Sequence, residues 1–307
     1  MGLGMKRLAL LVPILLAFSQ CTPPGPRNET SGKPANSGRP AIVPTGSRGF
    51  QQIINVSSWD PKERQRSGRG FSEHDVSALR SNGAKALIAR AGKGGKLDEK
   101  CATFLASADR AGMMVGVYYR VQRHISPTRQ ADQFVARAKA IARSRSWRTP
   151  SLLLVGDYDG DLTLSQILRF MDRVEQTTGV IPVAYLENST ALKLKTRAAT
   201  GKVRARLRQA PYWLALYSHS SGGGSTFPAP GNPRNLVKQY GLWDDWTMWQ
   251  YGGVAWENGA SRAKVYSHGR YRFSKYFGNM DRPIERNVFR GSESQLRSFW
   301  QRHGMRL

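Results

Sequence analysis

Short apolar segments alternate with longer amphipathic stretches along most of this chain, and this alternation constrains the fold more than any other feature. Seven apolar segments have the length of a strand, and they read FQQIINVSSW, AKALIARA, MMVGVYYRV, SLLLVGDYDG, GVIPVAYLEN, YWLALYS and WTMWQYGG. Helical patterns lie between several of them, at residues 99–112, 127–144 and 164–179. Strands separated by helices indicate a mostly parallel sheet. We therefore predict an α/β fold, a single irregular TIM-like (β/α) barrel over residues 49–303.

Residues 1–20 have the pattern of an export signal. A basic start precedes an apolar run of about eleven residues, too short to span a bilayer as a helix because a span needs about 20. Cys21 follows directly, as in a lipoprotein whose lipidated cysteine anchors the chain to a membrane. Gln20 stands where the lipoprotein peptidase prefers Gly, Ala or Ser, so cleavage by the ordinary signal peptidase after Ser19 stays open.

Residues 21–48 are rich in Pro, Gly, Ser and Asn and have no apolar periodicity. Such a segment buries too little apolar surface to compensate for the entropy that it would lose on ordering. We predict that it is a disordered tether between the leader and the barrel.

The charge of the chain indicates an anionic partner. Lys and Arg number 47 against 21 Asp and Glu, which gives a formal net charge of +26. These bases are scattered over the chain and do not form one stripe or module, so nucleic acid is not the expected partner. The two cysteines and five histidines lack the short spacing of metal sites, and we expect neither a metal nor a cofactor.

Polar residues that end an apolar strand are the candidates for chemistry, because reactive groups of such barrels lie at the carboxyl ends of the strands. The clearest case is Asp157 and Asp159, which follow the run from Leu152 to Val155. Residues two apart on a strand share a face, and neighbouring like charges raise the pKa of one carboxyl. A carboxyl of this kind can act as a general acid. The alternative interpretation is a polar turn or a cation-binding loop.

Three further segments place polar groups near apolar strands. Asn55 follows Ile53 and Ile54, with the ring of Trp59 nearby in sequence. Residues 246–252 are strongly aromatic around one amide, which fits either a carbohydrate platform or a buried strand. Glu285 is a single acid before a short apolar pair.

In this order, these segments resemble the glycoside hydrolase family 25 lysozymes, which are N-acetylmuramidases. The resemblance covers about residues 49–300. Each family motif has a counterpart here, and the counterparts lie at residues 55–59, 88–94, 108–120, 157–159, 178–185, 212–217, 249–251 and 284–300. The departures fall on the acids. Asn55 replaces an Asp, Asp159 replaces the Glu that serves the family as general acid, and Glu285 replaces an Asp.

The resemblance implies an exported peptidoglycan hydrolase that cleaves the β-1,4 bond between N-acetylmuramic acid and N-acetylglucosamine. It implies that Asp159 protonates the leaving oxygen, that Asp157 steers the N-acetyl group or a water, and that Asn55 and Glu285 line the site. The sugar contacts that it implies are Arg90, Tyr118, Tyr119, Tyr185, Tyr217, Trp249, Gln250 and Tyr251. The alternative is a catalytically inactive family member that binds peptidoglycan as an envelope lipoprotein. In either case we expect a monomer.

Overall fold

The computed structural model describes residues 49–58, 71–187, 200–216, 237–238, 242–253 and 284–307. The leader and the tether, with Cys21, lie outside these residues, and so do Trp59 and Tyr217. The expectations for the leader and the tether therefore stay predictions.

The described residues form ten strands and six helices. In chain order the strands are β1 (Phe50–Val56), β2 (Ala84–Lys93), β3 (Lys96–Leu97), β4 (Met114–Arg120), β5 (Ser151–Asp157), β6 (Val183–Glu187), β7 (Tyr212–Ala215), β8 (Met248–Gly252), β9 (Glu285–Arg290) and β10 (Gly304–Arg306). The helices are α1 (Glu73–Ser81), α2 (Cys101–Arg110), α3 (Pro127–Arg143), α4 (Leu164–Thr178), α5 (Gly201–Arg208) and α6 (Glu293–His303).

Eight of these strands close into a barrel. The order around it is β1, β2, β4, β5, β6, β7, β8 and β9, and β9 pairs back onto β1. Every neighbouring pair from β1 to β8 is parallel, whereas β9 is antiparallel to both of its neighbours. The predicted (β/α) barrel is confirmed, and each of the seven predicted segments is a strand. The reversed strand starts at the end where the others finish, so Glu285 lies opposite Asn55.

Each barrel strand separates an inner from an outer apolar cluster. The inner cluster includes Ile53, Ile88, Leu153, Trp213 and Met248, which lie at every second position of their strands. The outer faces pack against the helices, in agreement with the period-two alternation of a strand. The residues two positions after these inner-cluster residues lie on the same inner face and reach the carboxyl end of the barrel. The alternation of faces along each strand therefore decides which side chains can enter the barrel mouth.

Helix α6 closes the opposite end of the barrel. Phe299 and Trp300 pack into the inner cluster, and the indole Nε1 of Trp300 donates to the carbonyl of Val115, at 2.6 Å. Strand β10 then pairs with the start of β5. With this end filled by side chains, the space available to a ligand lies at the carboxyl ends of the strands.

The three predicted helices are confirmed as α2, α3 and α4, each within two residues of the predicted bounds. Helix α4 shows why the sequence marked its ends so well. Thr163 and Gln166 form a capping box at its start, and Gly179 ends it with a φ of 73°. Within the part of the chain that the structure describes, no helix is both long and apolar enough to cross a membrane.

Candidate active site

A cleft of about 280 Å³ opens at the mouth of the barrel. All eight barrel strands contribute a residue to it, either within the strand or just past its end. Its lining consists of Asn55, Ser57, Arg90, Tyr118, Arg120, Val155, Asp157, Asp159, Tyr185, Trp213, Gln250 and Glu285. The sequence predicted that Asn55, Asp157, Asp159 and Glu285 would converge, and the structure brings these four residues together in this cleft.

Asp157 is the most buried carboxyl of the cleft, with 5% of its surface exposed. Burial raises the pKa of this carboxyl to about 7, while the Arg120 guanidinium lowers it and the charge of Asp159 raises it further. The sequence predicted a raised pKa from the neighbouring acid, but burial is the larger cause. The carboxyl of Asp157 is therefore about half protonated at neutral pH. Such a group can either donate or accept a proton there.

The backbone fixes the position of this carboxyl relative to the second acid. The backbone N–H of Asp159 donates to Oδ1 of Asp157, at 3.0 Å. The backbone carbonyl of Asp157 in turn accepts from the N–H of Val121, at 3.0 Å. Asp157 therefore cannot swing away from the cleft without breaking a local bond, and Asp159 follows it at a fixed spacing.

Asn55 belongs to a network of neutral side chains. Its Oδ1 accepts from Nε2 of Gln250, at 3.1 Å, and from Nδ2 of Asn287, at 2.8 Å. The hydroxyl of Tyr185 donates to Oε1 of Gln250, at 2.6 Å, and the indole of Trp213 donates to Oδ1 of Asn287, at 3.0 Å. Because Oδ1 of Asn55 holds two donors, the side chain of Asn55 can offer only its Nδ2 hydrogens to a ligand.

Glu285 lies against the backbone of Gly253. A Cβ placed on Gly253 would overlap the carboxylate of Glu285, so only glycine leaves room for this acid in its present position. Glu285 also pairs across the sheet with Asn55. The position of the third cleft acid thus depends on a glycine just past the end of β8.

Two arginines line the cleft beside the acids, and they are held differently. The Nε of Arg90 lies 3.1 Å from Oδ2 of Asp98, which also accepts the backbone N–H of Ser58, at 2.9 Å. Arg120 has no ion pair among the described residues, and its Nε has no hydrogen-bond partner there. Burial by itself would lower the pKa of Arg120, but the carboxylates of Asp157 and Asp159 raise it overall.

The residues implied as sugar contacts divide between two faces of the sheet. Four of them line the cleft, namely Arg90, Tyr118, Tyr185 and Gln250. Three others are buried on the outer side and do not line it, namely Tyr119, Trp249 and Tyr251. Neighbours on a strand point to opposite faces, so Tyr119 cannot share the cleft with Tyr118, nor Trp249 and Tyr251 with Gln250. We do not retain these three as sugar contacts.

Tyr119 instead connects two surface elements. Its hydroxyl donates to Oε1 of Gln133, at 2.7 Å, and accepts the backbone N–H of Gly95, at 2.8 Å. Nε2 of Gln133 donates to the carbonyl of Gly95, at 2.7 Å. The turn between β2 and β3 is thereby held against helix α3.

Four residues that line the cleft were not predicted as site residues from the sequence: Ser57, Arg120, Val155 and Trp213. A usable signal existed for Arg120, because it lies two positions after Tyr118 on the same strand face. In the described residues, no group of three His, Cys, Asp or Glu side chains is placed to hold a metal ion.

Comparisons with known proteins agree with this fold. The family model described as glycosyl hydrolases family 25 matches residues 54–260. The lysozyme of Streptomyces coelicolor is 20% identical, with a TM-score of 0.53, over 81% of this chain and 96% of that one. The catalytic domain of endolysin ply40, from bacteriophage P40 of Listeria monocytogenes, is 19% identical, with a TM-score of 0.52, over 82% of this chain and 98% of that one. The Clostridium perfringens spore cortex lytic enzyme SleM is 21% identical, with a TM-score of 0.54, over 80% of this chain and 69% of that one. No curated protein sequence matches.

Proposed function

The chain belongs to the glycosyl hydrolases family 25, and from this premise we propose that it is an exported peptidoglycan hydrolase that cleaves the β-1,4 bond between N-acetylmuramic acid and N-acetylglucosamine. One observation carries the proposal. Three carboxyls from two sides of the barrel, those of Asp157, Asp159 and Glu285, meet in a single cleft lined by tyrosines and amides. Glycosidases use paired carboxyls in this way, one as acid and one as base, nucleophile or charge stabiliser.

In this mechanism Asp159 protonates the leaving oxygen, as its family position implies. Asp157 supports the reaction as a carboxylate. Its Oδ1 already accepts the N–H of Asp159, at 3.0 Å, so Oδ2 is the atom that contacts the N-acetyl group or the attacking water. Protonation of a leaving group by a positioned acid contributes about 10²–10⁴-fold to a rate. Removal of the acid should therefore be visible even in a slow enzyme.

The neutral side chains around these acids bind the sugar. The Nδ2 hydrogens of Asn55 donate to a hydroxyl or acetamide oxygen, because the Oδ1 of this residue is held by Gln250 and Asn287. Tyr118 and Tyr185 line the cleft from β4 and β6, on either side of the strand that carries Asp157. Aromatic and amide groups of this kind orient a carbohydrate without adding charge.

A second candidate function is peptidoglycan binding without turnover, and the network around Asn55 favours it. Where the family pattern has a carboxylate, this chain has the amide of Asn55, and among the described residues this side chain bonds to the amides of Gln250 and Asn287. That position adds no negative charge to stabilise a developing oxocarbenium ion. A protein of this kind would keep the sugar contacts and lose the reaction.

Digestion of purified sacculi separates the two functions. We expect Asp159→Asn to abolish the release of muropeptides and Asp159→Glu, which restores the reach of the family acid, to raise it. Asp161→Asn is the matched control, because Asp161 is exposed and does not line the cleft. A protein that only binds would pull down with sacculi in all four forms and release nothing. Release that survives Asp159→Asn would overturn the assignment of the acid.

We also propose export and, through a lipidated Cys21, attachment to a membrane in the cell envelope. The basic leader start and the apolar run before Cys21 support this, and the net charge of +26 suits an anionic wall polymer. Mass spectrometry of the mature N-terminus tests it. A diacylglyceryl group on Cys21 supports anchoring, whereas an unmodified terminus that begins at Gln20 supports ordinary cleavage after Ser19.

A further inference from the structure

A second groove, of about 630 Å³, adjoins the cleft and shares Arg90 with it. Its cations are Arg90, Lys93, Lys96 and Lys100. Its carboxylates are Asp98 and Glu99. Because Asp98 is already engaged by Arg90 and by the backbone of Ser58, the groove presents an excess of positive charge.

The fold holds the basic side of this groove in a defined shape. Gly94 and Gly95 turn the chain between β2 and β3 with φ values of 53° and 88°, which glycine adopts without strain. Tyr119 and Gln133 fasten Gly95 from below through its N–H and its carbonyl. The turn is therefore preorganised, and the lysines on either side of it project from a fixed backbone.

The side chains on this turn are available to a ligand. Lys93 and Lys96 are exposed, and neither has an ion-pair partner among the described residues. Leu97 lies beside them and is 46% exposed, the one large apolar side chain so exposed in the described residues. Two unpaired ammonium groups next to an apolar surface fit an acidic ligand that also carries small apolar groups.

We propose that this groove binds the acidic peptide stem of a muramic acid residue whose sugar ring lies in the cleft. The proposal rests on the proposed function, since the cleft must hold the glycan. A stem peptide leaves the sugar through its lactyl group, so it must occupy a space continuous with the sugar site, and Arg90 belongs to both. Its glutamyl and terminal carboxylates meet Lys93 and Lys96, and its alanine methyl groups meet Leu97.

Hydrolysis of matched substrates tests this binding. The two substrates are intact sacculi and sacculi whose stems an amidase has removed, both at limiting concentration. We expect Lys93→Gln/Lys96→Gln to lower the initial rate on intact sacculi about fivefold, the size that two exposed ion pairs give. The rate on stripped glycan should not change. Lys202→Gln/Arg169→Gln removes the same charge from exposed helical positions outside the groove and should leave both rates as they are.

A binding measurement keeps the proposal separate from turnover. Titration with a soluble N-acetylmuramyl tetrapeptide, followed by NMR, should shift the signals of the turn between β2 and β3, and the double lysine variant should bind it about fivefold more weakly. An equal loss of hydrolysis rate on intact and on stripped glycan would overturn the proposal. It would also be overturned if inorganic phosphate or DNA, but not the tetrapeptide, inhibited hydrolysis of intact sacculi. Binding of the tetrapeptide without hydrolysis of either substrate would refute the proposed hydrolase activity and support the proposed binding of the stem peptide in the groove.

Discussion

Replacement of Asp157 by Asn should stabilise the protein at neutral pH, and the gain should depend on pH in a specific way. The carboxyl is buried, and folding raises its pKa from an ordinary value of 3.8 to about 7. The folded state therefore holds a proton that the unfolded chain has already lost over this range. Asn has no proton to lose. It also keeps an Oδ1 that can accept the N–H of Asp159, so the local bond is preserved.

The sign and size follow from proton linkage. A group whose folded pKa is raised binds more protons in the folded state, so the free energy of unfolding falls as pH rises between the two pKa values. One pKa unit corresponds to about 1.4 kcal/mol. Over the range from 3.8 to about 7 the native chain should lose about 4 kcal/mol relative to Asp157→Asn. Below pH 4 the two proteins should show no such difference, and above pH 7 it should stay constant.

Urea unfolding of the two proteins from pH 4 to pH 8 measures this difference. Asp161→Asn is the control. The carboxyl of Asp161 is exposed to water, so this variant should have the same free energy of unfolding as the native chain at every pH. A constant offset between Asp157→Asn and the native chain would reflect packing alone. A difference that shrinks from pH 4 to pH 7 would refute the reasoning, since it would mean that attraction to Arg120 outweighs burial.

Three other changes probe the cleft and the leader. Arg120→Gln removes the charge that lowers the pKa of Asp157, so ¹³C NMR titration of this carboxyl should give a midpoint above 7; an unchanged midpoint would contradict the coupling. Gly253→Ala should displace Glu285 and weaken binding to sacculi, whereas Gly201→Ala, where a Cβ meets nothing within 4 Å, should bind as the native chain does. A chain without the leader and the tether should melt within about a degree of the full mature protein, as calorimetry can check.

The sequence predicted the barrel well because its strands and helices carry strong local signals. The run of four apolar residues before Gly156 is buried throughout in β5, and capping residues mark the ends of α4. Strand β9 was not among the predicted strands, since polar and charged residues flank its single apolar pair. It forms a strand because it closes the barrel between β8 and β1. That pairing depends on residues far apart in sequence.

The candidate site could be predicted only in part, for a similar reason. Matching a motif indicates which strand a residue belongs to, but not which face of the sheet it lies on. Tyr119 lies within a family motif, where it stands in place of a His, and it holds a surface turn, whereas Arg120, beside it, lines the cleft. The amide network of Asn55 also needed the structure, because Gln250 and Asn287 reach it from strands that are remote in the chain.

The charges of the cleft make the pH dependence of the rate a test of the assigned roles. Compared with the family pattern, Asn55 removes a negative charge, while Asp159 and Glu285 keep theirs, and Arg120 places a positive charge beside the acids. Stabilisation of a developing oxocarbenium ion therefore depends more heavily on Asp157 in its ionised form. If Asp157 acts as a carboxylate and Asp159 as the proton donor, muropeptide release needs Asp157 ionised and Asp159 protonated, so the rate should be bell-shaped in pH, with one limb at about 7, the pKa of Asp157. The limb at about 7 should be absent from the residual rate of Asp157→Asn, and a limb that stays there in this variant would refute the part assigned to Asp157.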